Sequence, residues 1–187
     1  MKLNFVSLTG IIALLWIATY TLNKILFSFT AISFYISLIF IPTGFKVACV
    51  TIYRWRAILG ILIGSVITGL LFVKELVWGD ILMFALFSAC LPFLALKIME
   101  SITQLKPSLE NISVKFILGL SVVYAFLNSL FHVSYQNNRF CLRHPEDLPH
   151  FFSMAIGDIL GTLLFMVLIA KCLKAYSRYQ KTKNRFV

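Results

Sequence analysis

Long apolar runs separated by short polar breaks constrain this fold more than any other feature of the sequence. A helix of about 20 mainly apolar residues can cross the hydrocarbon core of a bilayer. The chain is 60% hydrophobic and only 13% charged, so a soluble domain of 187 residues could not bury its apolar surface. We therefore predict an all-α, polytopic transmembrane bundle of about six helices that contacts the lipid bilayer. The six apolar runs are 4–22, 25–53, 57–73, 80–98, 113–134 and 151–172.

The short breaks between the runs indicate that neighbouring spans pack antiparallel in one compact bundle. We interpret residues 1–172 as a six-span transmembrane domain and residues 173–187 as a basic tail. No second globular domain is expected beside the spans.

The distribution of charge predicts the orientation of the chain in the membrane. The segment after residue 170 holds six basic residues and no acidic one, and the positive-inside rule places such a segment in the cytoplasm. Six spans then place the N-terminus there as well, so we expect a multi-pass plasma-membrane protein with both termini cytoplasmic. This topology, together with attraction to anionic lipids, accounts for the net charge of +10. It does not indicate nucleic-acid binding.

The segment FIPTGFK, residues 40–46, interrupts the second run with a proline, a glycine and a lysine. The run has 29 residues, about 43 Å of helix, which is longer than a perpendicular span. Pro42 lacks an N–H and its ring clashes with the carbonyl four residues earlier. The second helix is therefore predicted to be broken or kinked at Pro42–Gly44.

Backbone carbonyls freed by such a break are tolerated at membrane depth only where protein or a water-filled cavity satisfies them. The FIPTGFK segment is thus a candidate cavity lining, with Lys46 on its cytoplasmic side. The alternative is a kink that serves packing alone, with Lys46 extended towards the cytoplasmic headgroups.

Asp158 lies inside the sixth run, within AIGDILG at residues 155–161. An ionisable residue in a span is costly and normally faces the bundle interior or a cavity. Gly157 and Gly161 are four residues apart, a spacing that lets another helix approach closely. We expect the response to a ligand or partner to depend on Asp158, although it could instead be a structural latch bonded to the backbone freed at Pro42–Gly44. A direct pair with Lys46 is left open.

Little else in the chain suggests reaction chemistry. Cys141, His144 and their acidic neighbours in residues 136–150 could compose a metal or nucleophile site, but prolines in this segment favour a structured external loop. We interpret His132, near the end of the fifth span, as an interfacial residue. No nucleotide-binding loop or metal-ligand spacing is found, so we expect no enzyme activity, metal or cofactor.

Two blocks of the sequence resemble a known family. Pro42-x-Gly44, the turn at residues 54–56 and the AILGILIG that follows resemble the opening of the first membrane-associated sensor domain family of bacteria. Gly157-Asp158-x-x-Gly161 is similar to the late Gly-Asp-x-x-Gly element of that family. These domains are multi-span sensory inputs, usually fused to histidine kinase or diguanylate cyclase outputs. They commonly have more spans than this chain, and the proline that usually follows the late element is missing here.

The resemblance implies a sensory or ligand-responsive module of the bacterial inner membrane, acting by ligand-dependent repacking of the bundle. Its signal would pass to a separate partner, with the basic tail as the point of contact. The alternative is the substrate-binding membrane subunit of a small-molecule transporter of the energy-coupling-factor type, which would need a separate ATPase partner. A scaffold or assembly subunit without a ligand is a third possibility.

Overall fold

The computed structural model describes residues 4–31, 37–73, 76–104, 113–140 and 147–183. Within these ranges the chain forms six α-helices, one 3-10 turn (Ser28–Thr30) and no strand beyond an isolated bridge between Ala31 and Ser37. The prediction of an all-α bundle is confirmed. The helices are α1 (Phe5–Phe27), α2 (Pro42–Tyr53), α3 (Arg56–Phe72), α4 (Trp78–Thr103), α5 (Val114–Phe140) and α6 (Asp147–Lys183).

The helices carry the apolar surface of a membrane protein. In the described part of the chain, four helical segments are long and apolar enough to cross a membrane: Phe5–Thr30, Trp78–Thr103, Val114–Asn138 and Leu148–Cys172. Large apolar residues face outward, such as Leu14, which is 68% exposed, and Ile25, which is 71% exposed. So much exposed apolar surface is stable against lipid rather than water.

Contacts between rings define the two ends of the bundle. At the end that we call the lower end, the Phe5 ring lies 5.7 Å from the Trp55 ring in the turn between α2 and α3. At the opposite, upper end, the rings of Tyr20 and Phe72 are 5.5 Å apart, near the last turns of α1 and α3. Accordingly α1, α3 and α5 run from the lower to the upper end, and α2, α4 and α6 run back.

The second predicted span is broken rather than kinked. Helix α1 continues to Phe27, past the predicted boundary at residue 22, and the next α-helix that the structure describes starts at Pro42. Proline suits the first position of a helix, where its missing N–H removes no helical hydrogen bond. Helix α2 has 12 residues, about 18 Å, so it extends from the middle of the bundle to the lower end.

Two glycines on α3 allow it to pack closely against α1. A Cβ atom at Gly60 would lie 2.7 Å from the Cβ of Ile12, and one at Gly64 would lie 2.5 Å from the Cδ1 of Trp16. These separations are shorter than van der Waals contact, so helices α1 and α3 can pack this closely only because the two glycines have no side chain.

We expect Gly60→Ala to lower the free energy of unfolding by about 1–3 kcal/mol, the usual cost of overpacking. The loss would be measured as a lower melting temperature in detergent or nanodiscs. The added methyl would also meet the carbonyl oxygen of Thr9 at 2.9 Å, a backbone atom that cannot rotate away. Gly10→Ala is the matched control, because a Cβ there meets nothing within 4 Å. Equal melting temperatures for the two variants would contradict this account of the interface.

Candidate functional site

A cavity of about 650 Å³ lies inside the bundle and extends from its middle to the upper end. Its lining reaches from Lys46 on α2 to Ser28 and Leu76, which lie where α1 has ended and α4 is about to begin. Small-molecule sites in proteins have volumes of about 300–1,000 Å³. Much of the wall is aromatic, and its rings are Trp16, Tyr20, Phe27, Phe40, Phe84 and His132.

Lys46 is buried in the cavity wall, with 2% of its surface exposed. Its Nζ donates hydrogen bonds to the hydroxyl oxygens of Tyr124, at 2.7 Å, and Ser88, at 3.3 Å. The ammonium also lies 5.0 Å from the centroid of the Trp16 ring, a distance at which a cation and a ring attract. Lys46 therefore lies in the cavity wall, and its side chain does not extend towards the headgroups.

The depth of Lys46 follows from its contact with Ser88. Ser88 comes ten residues after the start of α4, which places it about 15 Å from the upper end of a bundle roughly 30 Å thick. The Lys46 ammonium therefore lies near the middle of the membrane, where an isolated charge is least favourable.

Asp158 on α6 accepts hydrogen bonds from side chains on α2 and α5. It is buried, with 2% of its surface exposed. The Thr43 hydroxyl on α2 donates to Oδ1 at 2.5 Å, and the Asn128 amide on α5 donates to Oδ2 at 2.7 Å. Asp158 thus faces the interior and lines the cavity, as predicted for an ionisable residue in a span. The expectation of a latch on freed backbone requires correction, because the α2 group that bonds Asp158 is a side chain.

The backbone N–H groups just before Pro42 form hydrogen bonds with residues of other helices. The N–H of Ile41 donates to Oδ1 of Asn23 at 2.9 Å, and the N–H of Phe40 donates to the carbonyl of Gly157 at 3.2 Å. Asn23 lies near the end of α1 and is buried. These bonds hold the irregular chain before α2 inside the bundle without leaving the two donors unpaired.

Gly157 and Gly161 face this irregular chain, residues 37–41, rather than another helix. A Cβ atom at Gly157 would overlap the carbonyl oxygen of Ser37, and one at Gly161 would overlap that of Phe40. The glycine pair therefore admits backbone, which corrects the expectation that it admits a helix. Gly44 does serve helix packing, since a Cβ there would overlap the side chain of Phe165 on α6.

Lys46 and Asp158 do not form a direct ion pair. The two ion pairs found among the described residues both involve Glu100, at the lower end. Thr43, which bonds Asp158, precedes Lys46 by three residues, so the backbone that carries Lys46 lies about one helical turn from the residue that bonds Asp158. The cavity thus presents a cation and an acid that neither touch nor neutralise each other by contact.

Two polar atoms in the same wall are buried without a hydrogen-bond partner among the described residues. They are Oδ1 of Asn128 and Oγ of Ser65. Asn128 is 2% exposed and Ser65 is 8% exposed. Because most buried polar groups in proteins are bonded, such atoms in a cavity wall are suited to bind a guest molecule.

Sequence reasoning missed several members of this site. Asn128 is an amide within the fifth apolar run and could have been recognised by the argument applied to Asp158. His132 was predicted to be interfacial but is buried, with its ring stacked 5.3 Å from that of Phe84 and its Nδ1 donating to the carbonyl of Asn128 at 2.9 Å. Tyr124 and Trp16 carried no local signal, because aromatic residues are common throughout the spans.

The segment that could have held a metal or nucleophile lies largely outside the described residues. Cys141 and His144 lie outside the described residues, and α6 begins at Asp147. No group of three potential metal ligands occurs in the ranges that the structure describes.

In comparisons with known proteins, no protein-family model, curated protein or solved structure matches this chain. The resemblance to bacterial sensor domains therefore stays a prediction.

Proposed function

We propose that this protein is a ligand-responsive sensory module of the bacterial inner membrane, which binds a small molecule in the bundle cavity and signals to a separate partner. The observation that carries the proposal is the placement of Lys46 and Asp158 on the wall of a cavity at mid-membrane depth. Ionisable residues at this depth destabilise the inserted protein and generally mark a functional site. The volume and aromatic lining suit a metabolite-sized guest.

The length of α6 supports a signalling role. Asp158 and Lys183 belong to one unbroken helix and are 25 residues apart, about 37 Å along the axis. A ligand that changes the hydrogen bonds of Asp158 would therefore shift α6 as a unit, and the shift would reach the basic segment at residues 173–187. A partner protein that binds this segment would then be affected by the shift of α6.

Charge at the lower end supports the predicted orientation. Lys97, Arg56 and Lys171 lie at or near this end, whereas Lys24 is at the upper end of α1. The positive-inside rule then favours a cytoplasmic lower end and a cavity that faces the outer side.

A transport role is the second candidate, and the break before α2 favours it. Discontinuous helices that meet near the middle of the membrane form the substrate sites of many transporters. In this case the chain would be the substrate-binding subunit of an energy-coupling-factor type complex with a separate ATPase. Uptake of a bound solute into liposomes that contain the chain and a co-purified ATPase would favour transport over sensing.

Filling the cavity is expected to abolish ligand binding. Ala85 lines the cavity on α4 and is buried, so Ala85→Phe would place a ring in the ligand volume. Leu82→Phe is the control, because Leu82 lies one turn away on the same helix and is 50% exposed to lipid. Thermal unfolding of nanodisc-embedded protein would be measured with fractions of a water-soluble metabolite extract from the producing cell.

The expected result is that at least one fraction raises the melting temperature of the wild-type protein and of Leu82→Phe but not that of Ala85→Phe. An equal rise in Ala85→Phe would place binding outside the cavity. A complete lack of stabilising fractions would favour the scaffold role without a ligand.

A further inference from the structure

We infer that the cavity ligand is a small zwitterion, with a carboxylate and an ammonium group on a short apolar or aromatic body. This inference rests on the proposed function and names the chemical class of its ligand. It follows from the way in which the two charged residues and their neighbours are paired in the wall.

The first pole of the site is the Lys46 ammonium. It has three N–H donors, of which two are directed to the hydroxyls of Tyr124 and Ser88. These hydroxyls are neutral, and no acidic side chain in the described ranges forms an ion pair with Lys46. A carboxylate would accept the third donor in a charge-assisted hydrogen bond, which is stronger than the bonds to neutral oxygens.

The second pole is the acceptor pair formed by Asp158 and Asn128. The Asn128 amide nitrogen donates to Oδ2 of Asp158, so the unpartnered Oδ1 of the same amide lies beside the carboxylate. A carboxylate has about four lone-pair sites, and two of those on Asp158 are used by Thr43 and Asn128. An ammonium group, with three donors, matches the acceptors that are left.

Charge balance selects a zwitterion over an ion of either sign. Lys46 and Asp158 together bring no net charge into a low-dielectric region of the bundle. A simple organic anion or cation would add an uncompensated charge there, and burial of such a charge is costly. A zwitterion adds none and can bring an opposite charge to each pole. The rings of Trp16, Phe40 and Phe84 are available to its apolar body.

The test compares zwitterions with analogues that lack one charged group. Isothermal titration of the full chain in nanodiscs would use two series: phenylalanine, 3-phenylpropionate and 2-phenylethylamine, and leucine, 4-methylpentanoate and 3-methylbutylamine. In at least one series we expect the zwitterion to bind about tenfold or more tightly than both analogues, as for hydrogen bonds to charged groups.

Two variants assign the poles. Lys46→Met is expected to abolish the tighter binding of the zwitterion relative to the amine analogue, which lacks the carboxylate. Asp158→Asn is expected to abolish the tighter binding of the zwitterion relative to the carboxylate analogue, which lacks the ammonium group. Lys97→Met is the control, because Lys97 is exposed at the lower end and does not line the cavity. The comparison of ligands on the wild-type chain stands even where a variant fails to fold.

The zwitterion inference is overturned if a singly charged analogue binds as tightly as its zwitterion in both series, or if no member of either series binds. Stabilisation of wild type, but not of Ala85→Phe, by a metabolite fraction would in that case leave the proposed function standing. If the stabilising fraction instead raised the melting temperatures of Ala85→Phe and Leu82→Phe equally, the proposed function itself would be wrong.

Discussion

Gly157→Ala is expected to prevent the bundle from folding stably, although it adds only one methyl group. The methyl would overlap the carbonyl oxygen of Ser37, which belongs to the backbone and cannot rotate away. The chain at residues 37–41 cannot withdraw easily, because the Phe40 N–H is bonded to the Gly157 carbonyl and the Ile41 N–H to Asn23. We expect a loss of stability above the usual overpacking cost of about 1–3 kcal/mol.

Gly119→Ala is the matched control for this prediction. Gly119 is also inside a spanning helix, but a Cβ there meets only the flexible end of Met99, with Cε at 2.8 Å. The yield of monodisperse protein and its thermal unfolding in nanodiscs would be compared for the two variants. Similar stabilities would show that residues 37–41 do not depend on the bare surface of α6.

Asp158→Leu is expected to destabilise the bundle strongly, whereas Asp158→Asn should leave it folded and inserted. Leucine would leave the Thr43 hydroxyl and the Asn128 amide without their acceptor. A buried polar group left unbonded costs about 1–3 kcal/mol, so the two together would cost about 2–6 kcal/mol. Asparagine keeps the shape of the side chain and one amide oxygen, and the Thr43 hydroxyl can turn to accept from its nitrogen.

Although we expect Asp158→Asn to fold, it should no longer respond to the cavity ligand, because it lacks the negative charge. Thermal unfolding with and without the stabilising metabolite fraction measures both effects in one experiment. If asparagine alone prevents folding or insertion, Asp158 is a structural latch. If it changes neither stability nor response, Asp158 is not part of the binding site.

The sequence alone was sufficient to predict the class of fold and the position of its break. Hydropathy is a local property, because a segment that can face lipid must be apolar along its own length. Pro42 marks the start of α2 for an equally local reason, since proline cannot donate the backbone hydrogen bond that a continuous helix would need. Asp158 was recognised because a charge within an apolar run must find an interior partner.

The partners of these residues were decided by the tertiary structure. Thr43 is 115 residues from Asp158 in the sequence, and Asn128 is 30 residues from it. Whether Lys46 turned inward or extended to the headgroups depended on Tyr124 and Ser88, which belong to other helices.

The occupant of the α6 glycine surface was also outside the reach of the sequence. The glycines at positions 157 and 161 indicate that another part of the chain packs closely against α6. Both a helix and an irregular backbone segment could pack in this way. In the structure the irregular chain at residues 37–41 packs there, and the N–H of Phe40 donates to the carbonyl of Gly157. A linear pattern specifies which residues must be buried or closely packed, whereas the pairing of distant surfaces is fixed only when the helices assemble and their shapes and hydrogen bonds have to be satisfied together.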